Sequence, residues 1–148
     1  MDHNVLEGFV KTLNADARNY NVFLKCFVVP LPSPTETDTI IKMAFGAEAT
    51  LGGIRSVDKA SVWPSLKEDL LYSGDAGAGP NPGAMKSKRL LSLMRVLEDE
   101  VRDLVETSIT VEWFWLRSGH PAYPVFWDFA FLFSGKTAAS ILIGCSSD

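Results

Sequence analysis

A chain of 148 residues that is 47% hydrophobic and 22% charged can bury one full core without disulfides or metal, and this composition excludes the disordered and fibrous classes. Its formal charge of −4 excludes broad electrostatic attraction to nucleic acid or to an anionic membrane, and weakly favours a basic partner. The opening Met1-Asp-His-Asn-Val-Leu-Glu7 has neither a basic stretch nor an apolar one, and no apolar run reaches the roughly 20 residues of a bilayer span; the expected compartment is the cytoplasm.

Val5, Leu6, Phe9, Val10, Leu13 and Ala17 recur at helical spacing and predict an amphipathic helix over 5–19. Asn4 and Glu7 stand at the spacing of a capping box. Residues 21–29 are rich in β-branched and aromatic side chains and predict a strand, ended by the three prolines of Pro30-Leu-Pro-Ser-Pro34. Thr39–Phe45 predicts a second strand, antiparallel to the first across a connection too long for a tight hairpin. Between Gly46 and Val62 the pattern fades: Gly52-Gly53 reads as a turn and Ile54–Val57 as a short edge strand. Ser65 and Glu68, following Pro64, form a second capping box that opens a short helix to about Tyr72. The stretch 73–84, dense in Gly, Pro and Ala, predicts an exposed flexible loop within a single domain spanning 1–148.

Leu90, Met94, Leu97, Val101 and Leu104 repeat at four-three spacing and make 85–106 the strongest predicted helix. Three strands then follow, from Ser108, Val125 and Ala138. Nine of the sixteen aromatic residues fall between Trp113 and Phe133. In the strand from Val125, residues Val125, Trp127, Phe129, Phe131 and Phe133 share one face, and Phe126, Asp128, Ala130 and Leu132 the other. The order α-β-β-α-α-β-β-β implies an α+β fold, with an antiparallel sheet of about five strands packed on two amphipathic helices. Two helices cover one face, so rings on the second require a loop, a ligand or a partner.

Chemical motifs are sparse. Cys26 and Cys145 lie in apolar strands and read as reduced core residues, bridged only if their strands are neighbours. No Cys/His cluster suits a metal, and no cofactor is expected. Gly77-Ala-Gly79-Pro-Asn-Pro82 fails the dinucleotide fingerprint, and Lys86 lacks the preceding glycine of a phosphate loop. Ser118, His120 and Asp128 can be written as a triad, yet adjacency in a turn is not triad geometry. Asp128, the only charge in its strand, would have a raised pKa if covered and unpaired. With His120 and Trp127 it marks a possible pocket. Trp113 and Trp115 read as core rings or as a contact surface. On the long helix, Glu98, Asp99, Glu100, Asp103 and Glu106 crowd the C-terminal half, where the helix dipole disfavours acid by a few tenths of a kcal/mol each. That placement does not serve the helix, and it offers an acidic ridge to a basic partner.

The closing pattern Val125-Phe-Trp-Asp-Phe-Ala-Phe-Leu-Phe133, a short turn, then Ile141-Leu-Ile-Gly-Cys-Ser-Ser-Asp148 resembles the C-terminal hairpin of small uncharacterised bacterial proteins grouped with polymorphic-toxin immunity proteins. The resemblance covers this hairpin alone and transfers no binding residue. It implies an acidic cytoplasmic protein that binds and blocks a cognate toxin. The expected function is therefore a non-catalytic protein-binding module of the immunity type, contacting a basic toxin domain through the five acids of the ridge and Trp113 and Trp115. The alternatives are a small-molecule-binding or enzymatic domain with a pocket around Asp128 and His120, and a homodimeric structural protein.

Overall fold

Alternation of apolar and polar residues in the C-terminal third builds the centre of the molecule. The computed structural model describes residues 1–148. In chain order the elements are α1 (His3–Asn14), β1 (Asn21–Pro30), α2 (Thr37–Phe45), β2 (Thr50–Ser56), a 3-10 turn (Lys59–Ser61) leading into α3 (Val62–Leu70), α4 (Pro82–Met85), α5 (Lys88–Thr107), β3 (Thr110–Ser118), β4 (Trp127–Ser134) and β5 (Ala138–Ser147). The fold is α+β, and its five strands are all antiparallel, in the spatial order β1-β5-β4-β3-β2. The last strand lies between the first and β4, so the edge strand β1 pairs with β5 and Asn21 faces Ser147.

Each face of the sheet carries a core. Trp127, Phe129, Phe131 and Phe133 of β4 form a row with successive ring centroids 5.8, 6.2 and 6.3 Å apart. They pack against Leu6, Phe9 and Leu13 of α1, Val62, Leu66 and Leu70 of α3, and Leu90, Met94, Leu97 and Val101 of α5. Val125 falls outside β4 and is exposed. On the opposite face Ala130, Leu132, Ile141 and Ile143 meet Ile40 and Ile41 of α2.

That second cover corrects the sequence reading, in which Thr39–Phe45 was a strand. Ile40, Ile41, Ala44 and Phe45 are spaced to lie on one side of a helix, and all four pack into the second core. Asp38 and Lys42 add an (i, i+4) pair at 2.6 Å, and Gly46 at φ +102° ends the helix. The element order is accordingly α-β-α-β, three further helices, then β-β-β. The fifth strand is β2, which runs through Gly52-Gly53 where a turn was expected. Those glycines have a steric reason: the Trp115 indole lies flat on them, and a β-carbon on Gly52 would sit 2.0 Å from the ring. An aromatic on the neighbouring strand thus covers backbone that glycine leaves bare.

Helix ends differ from the predicted caps. Asp2, rather than Asn4, caps α1 by accepting the Asn4 N–H at 2.8 Å, while Glu7 pairs with His3 at 2.8 Å. The helix stops at Asn14, whose side chain accepts the Val22 N–H at 2.7 Å and donates to the Val22 carbonyl at 3.3 Å. α3 starts before Pro64, which occupies the first turn where its missing N–H costs nothing, so Ser65 lies inside the helix rather than at its cap. Ser87 caps α5 through the Leu90 N–H at 3.1 Å. In the Gly/Pro-rich stretch, Asp75–Gly77 is exposed, whereas Gly79 and Pro80 are buried, with Gly79 bonded to the backbone of Arg18 at 2.8 and 3.0 Å.

Cys26 and Cys145 lie on adjacent strands yet cannot join. Cys26 is opposite Leu142 and Cys145 opposite Phe23, and their positions alternate to opposite faces of the sheet. Burial pushes both thiols up, Cys145 to about 11 with help from the Asp128 charge, so both stay protonated and weakly nucleophilic at neutral pH. No helix is long and apolar enough to cross a membrane.

Candidate functional site

Two surface features gather the residues singled out from the sequence. The first arises because β3 and β4 part company. Their register runs only from Thr110↔Ser134 to Trp113↔Phe131; beyond it β3 follows β2 as far as Ser118, while β4 follows β5 back to Trp127. The connecting residues 119–126 span the open end. A cleft of about 400 Å³ results, with Phe114, Leu116 and Ala130 as apolar lining and Arg117, His120 and Asp128 as charged or titratable lining.

His120 turns Nδ1 onto the backbone of Ala122, whose N–H donates to it at 3.1 Å, which leaves Nε2 as the free ring nitrogen. Asp128 is exposed rather than covered. Trp127, grouped with them from sequence, points to the other face, where it is 7% exposed and donates its Nε1–H to the Tyr20 hydroxyl at 2.9 Å. Ser118 is also turned away: its hydroxyl donates to the Glu48 carbonyl at 3.0 Å and lies 2.7 Å from that of Thr50. No Ser-His-Asp relay exists.

The second feature is the acidic side of α5. Arg102 spans Asp99 at 2.9 Å and Glu98 at 3.6 Å, and Glu100 accepts the Asp2 N–H at 2.9 Å. Asp103 and Glu106 are exposed and have no cationic partner within the chain. Beside them a groove of about 280 Å³ runs between α5 and α3, with Trp63, Val101 and Val105 as its apolar lining and Glu98 and Glu106 among its charged residues. Lys59 reaches over this groove and donates to the Ser108 carbonyl at 2.6 Å. A cation thereby sits at the negative end of the helix dipole, where α5 itself places only acid.

The two tryptophans assigned to a contact surface differ. Trp113 is half-buried, packs against the main core and carries the Arg55 guanidinium 5.0 Å from its ring. Trp115 is 44% exposed and lines the β3–β4 cleft. Lys59 and Trp63 carried no signal in the sequence, because their placement depends on how α3 packs on α5.

Asp69 is a further acid that sequence reasoning passed over. Partial burial on α3, then the charges of Glu68 and Asp128, push its pKa up to about 6. An acid with a raised folded-state pKa stabilises the fold below its unfolded value near 3.8 and loses that contribution as pH rises through about 6. Stability measured by urea denaturation is expected to fall across this window in the wild type. Asp69→Asn should flatten that part of the profile, and an unchanged slope would remove Asp69 as its source.

No group of three or more His, Cys, Asp or Glu residues is placed to hold a metal ion. No protein-family model, curated protein or solved structure matches the chain.

Proposed function

We propose that this chain is a non-catalytic protein-recognition module that binds and blocks a basic partner, in the manner of an immunity protein acting on its cognate toxin. The contact is made by the acidic side of α5: Glu98, Asp99, Glu100, Asp103 and Glu106. The observation that carries the reading is an unpaired carboxylate, Glu106, at the edge of an apolar-lined groove whose other charged residues are Lys59, Glu98 and Arg102. Asp103 and Glu106 lack partners within the chain, and Glu106 borders the groove containing Trp63. An apolar centre within a charged rim is the usual anatomy of a transient protein interface, and rim charges mainly speed encounter with an oppositely charged surface.

The test is retention of a protein from the native host by immobilised wild-type chain, repeated with a variant in which the five acids are replaced by serine. A basic protein should bind the wild type at low salt, weaken steeply as salt rises, and bind the variant at least tenfold more weakly. Retention that is equal on both chains, or indifferent to salt, rules the ridge out. The β3–β4 cleft favours a second, small-ligand reading.

A further inference from the structure

We propose that the β3–β4 cleft receives a short extended peptide segment of another protein, which lies between the two strands and continues their hydrogen-bonding ladder. The Val57 N–H donates to the Val111 carbonyl at 3.1 Å, and Arg55 and Gly53 stand opposite Trp113 and Trp115. Bonded residues alternate along an antiparallel ladder. Val111, Trp113 and Trp115 therefore turn their main-chain groups to β2, and Glu112, Phe114 and Leu116 turn theirs to β4. Glu112 is opposite Leu132, so Leu132, Ala130 and Asp128 turn theirs to β3. The register ends at Trp113↔Phe131, where Phe114 and Ala130, 1% and 5% exposed, close the apex. Past it, Leu116 and Asp128 each direct an N–H and a carbonyl into the gap, with no strand to meet them.

The walls of the cleft agree with this main-chain direction. Phe114 to Ser118 line it as five consecutive residues of β3, whereas β4 contributes Asp128 and Ala130. Consecutive side chains point to opposite faces, so an unbroken run marks the edge of the strand itself. The two residues from β4 are the ones whose main chain faces the gap. Side chains that bond main chain in this region serve other places: the Ser118 hydroxyl donates to the Glu48 carbonyl, and the His120 ring accepts the Ala122 N–H. The connecting loop is unsuited to fill the ladder, because its Pro121 and Pro124 have no N–H. A strand residue occupies a cell of about 3.3 by 4.8 by 10 Å, so a cleft of about 400 Å³ takes roughly two to three residues. Leu116 packs against the second core with Phe114 and Ala130, so a side chain entering on that face should be aliphatic.

The full chain is titrated with an acetylated, amidated peptide of alternating valine and threonine, about six residues long, and with the same peptide N-methylated at its valines. Amide exchange is followed residue by residue. In the free protein the Leu116 and Asp128 amides should exchange fast, and the unmodified peptide at millimolar concentration should protect both. N-methylation keeps the side chains but removes donors from one edge of the peptide, and should weaken binding roughly tenfold or more. Leu116→Pro removes a donor facing the gap and none that serves β2, so the β2–β3 register should persist while affinity falls roughly tenfold. Slow exchange of Leu116 and Asp128 in the free protein means a closed gap and overturns the proposal. Equal binding of the N-methylated peptide overturns it too, as does protection absent from both banks or found instead at Ile54 and Ser56 on the outer margin of β2. No residue of α5 lines the cleft, so the five-serine variant should keep peptide binding, and the failure of either reading leaves the other standing.

Discussion

Phe131→Ala is expected to remove about 3–5 kcal/mol of folding stability, a large share of the 5–15 kcal/mol that typically holds a domain together. Phe131 is 2% exposed and sits mid-row between Phe129 and Phe133. It also faces Trp113 in the last register pair before β3 and β4 separate. Truncation there leaves a cavity that helix packing on one side and strand pairing on the other prevent from collapsing. The measurement is the urea midpoint, which should drop with little change in slope. A loss under about 1 kcal/mol would mean that the aromatic row is not the centre of the core. The same substitution should loosen the apex of the β3–β4 gap, seen as faster amide exchange at Phe114 and Ala130.

Gly119→Ala is expected to cost about 2–4 kcal/mol, for two separable reasons. The residue has φ +82°, and a β-carbon there would lie 2.7 Å from the Cα of Ala49, which is itself 1% exposed. The obstacle is backbone, not a side chain that can swing aside. Here the turn after α2 and the loop beyond β3 touch, and the Ser118 hydroxyl donates to the Glu48 carbonyl beside them. Pushing the two apart should disorder the cleft before it unfolds the sheet, so exchange should rise first at residues 118–122. Comparison with Gly119→Asn divides the cost, because asparagine tolerates a left-handed backbone better than alanine. Equal losses would assign it to the clash, and a milder asparagine variant to the backbone angle.

What the sequence disclosed follows from which signals were redundant. The α5 stripe from Leu90 to Val101 and the alternation of β4 each repeat a period several times, and both elements are present with ends shifted by a few residues. Thr39–Phe45 offered one short apolar run whose two isoleucines favour a strand and whose spacing favours a helix; only the bare second face of the sheet decides between them. Gly52-Gly53 was unreadable for a different reason. Their place within a strand depends on Trp115, distant in sequence, lying across them. His120 and Asp128 could be named as lining one pocket, whereas Arg117 could not, because the gap that brings it there is a failure of pairing that leaves no pattern in the chain. Trp127 was separable from Asp128 by alternation alone, since neighbours in a strand point to opposite faces.

The amide of Asn14 has a consequence for the outer margin of β1. It already fills the hydrogen-bonding places of Val22, as the rung of an added strand would. At the far end Pro30 has no N–H to offer, and Lys25 places a cation on the stretch between. A foreign chain approaching along this rim finds one end of the ladder occupied and the other lacking a donor. The sheet is thereby blunted against growth into fibrils from the side where its longest margin faces water.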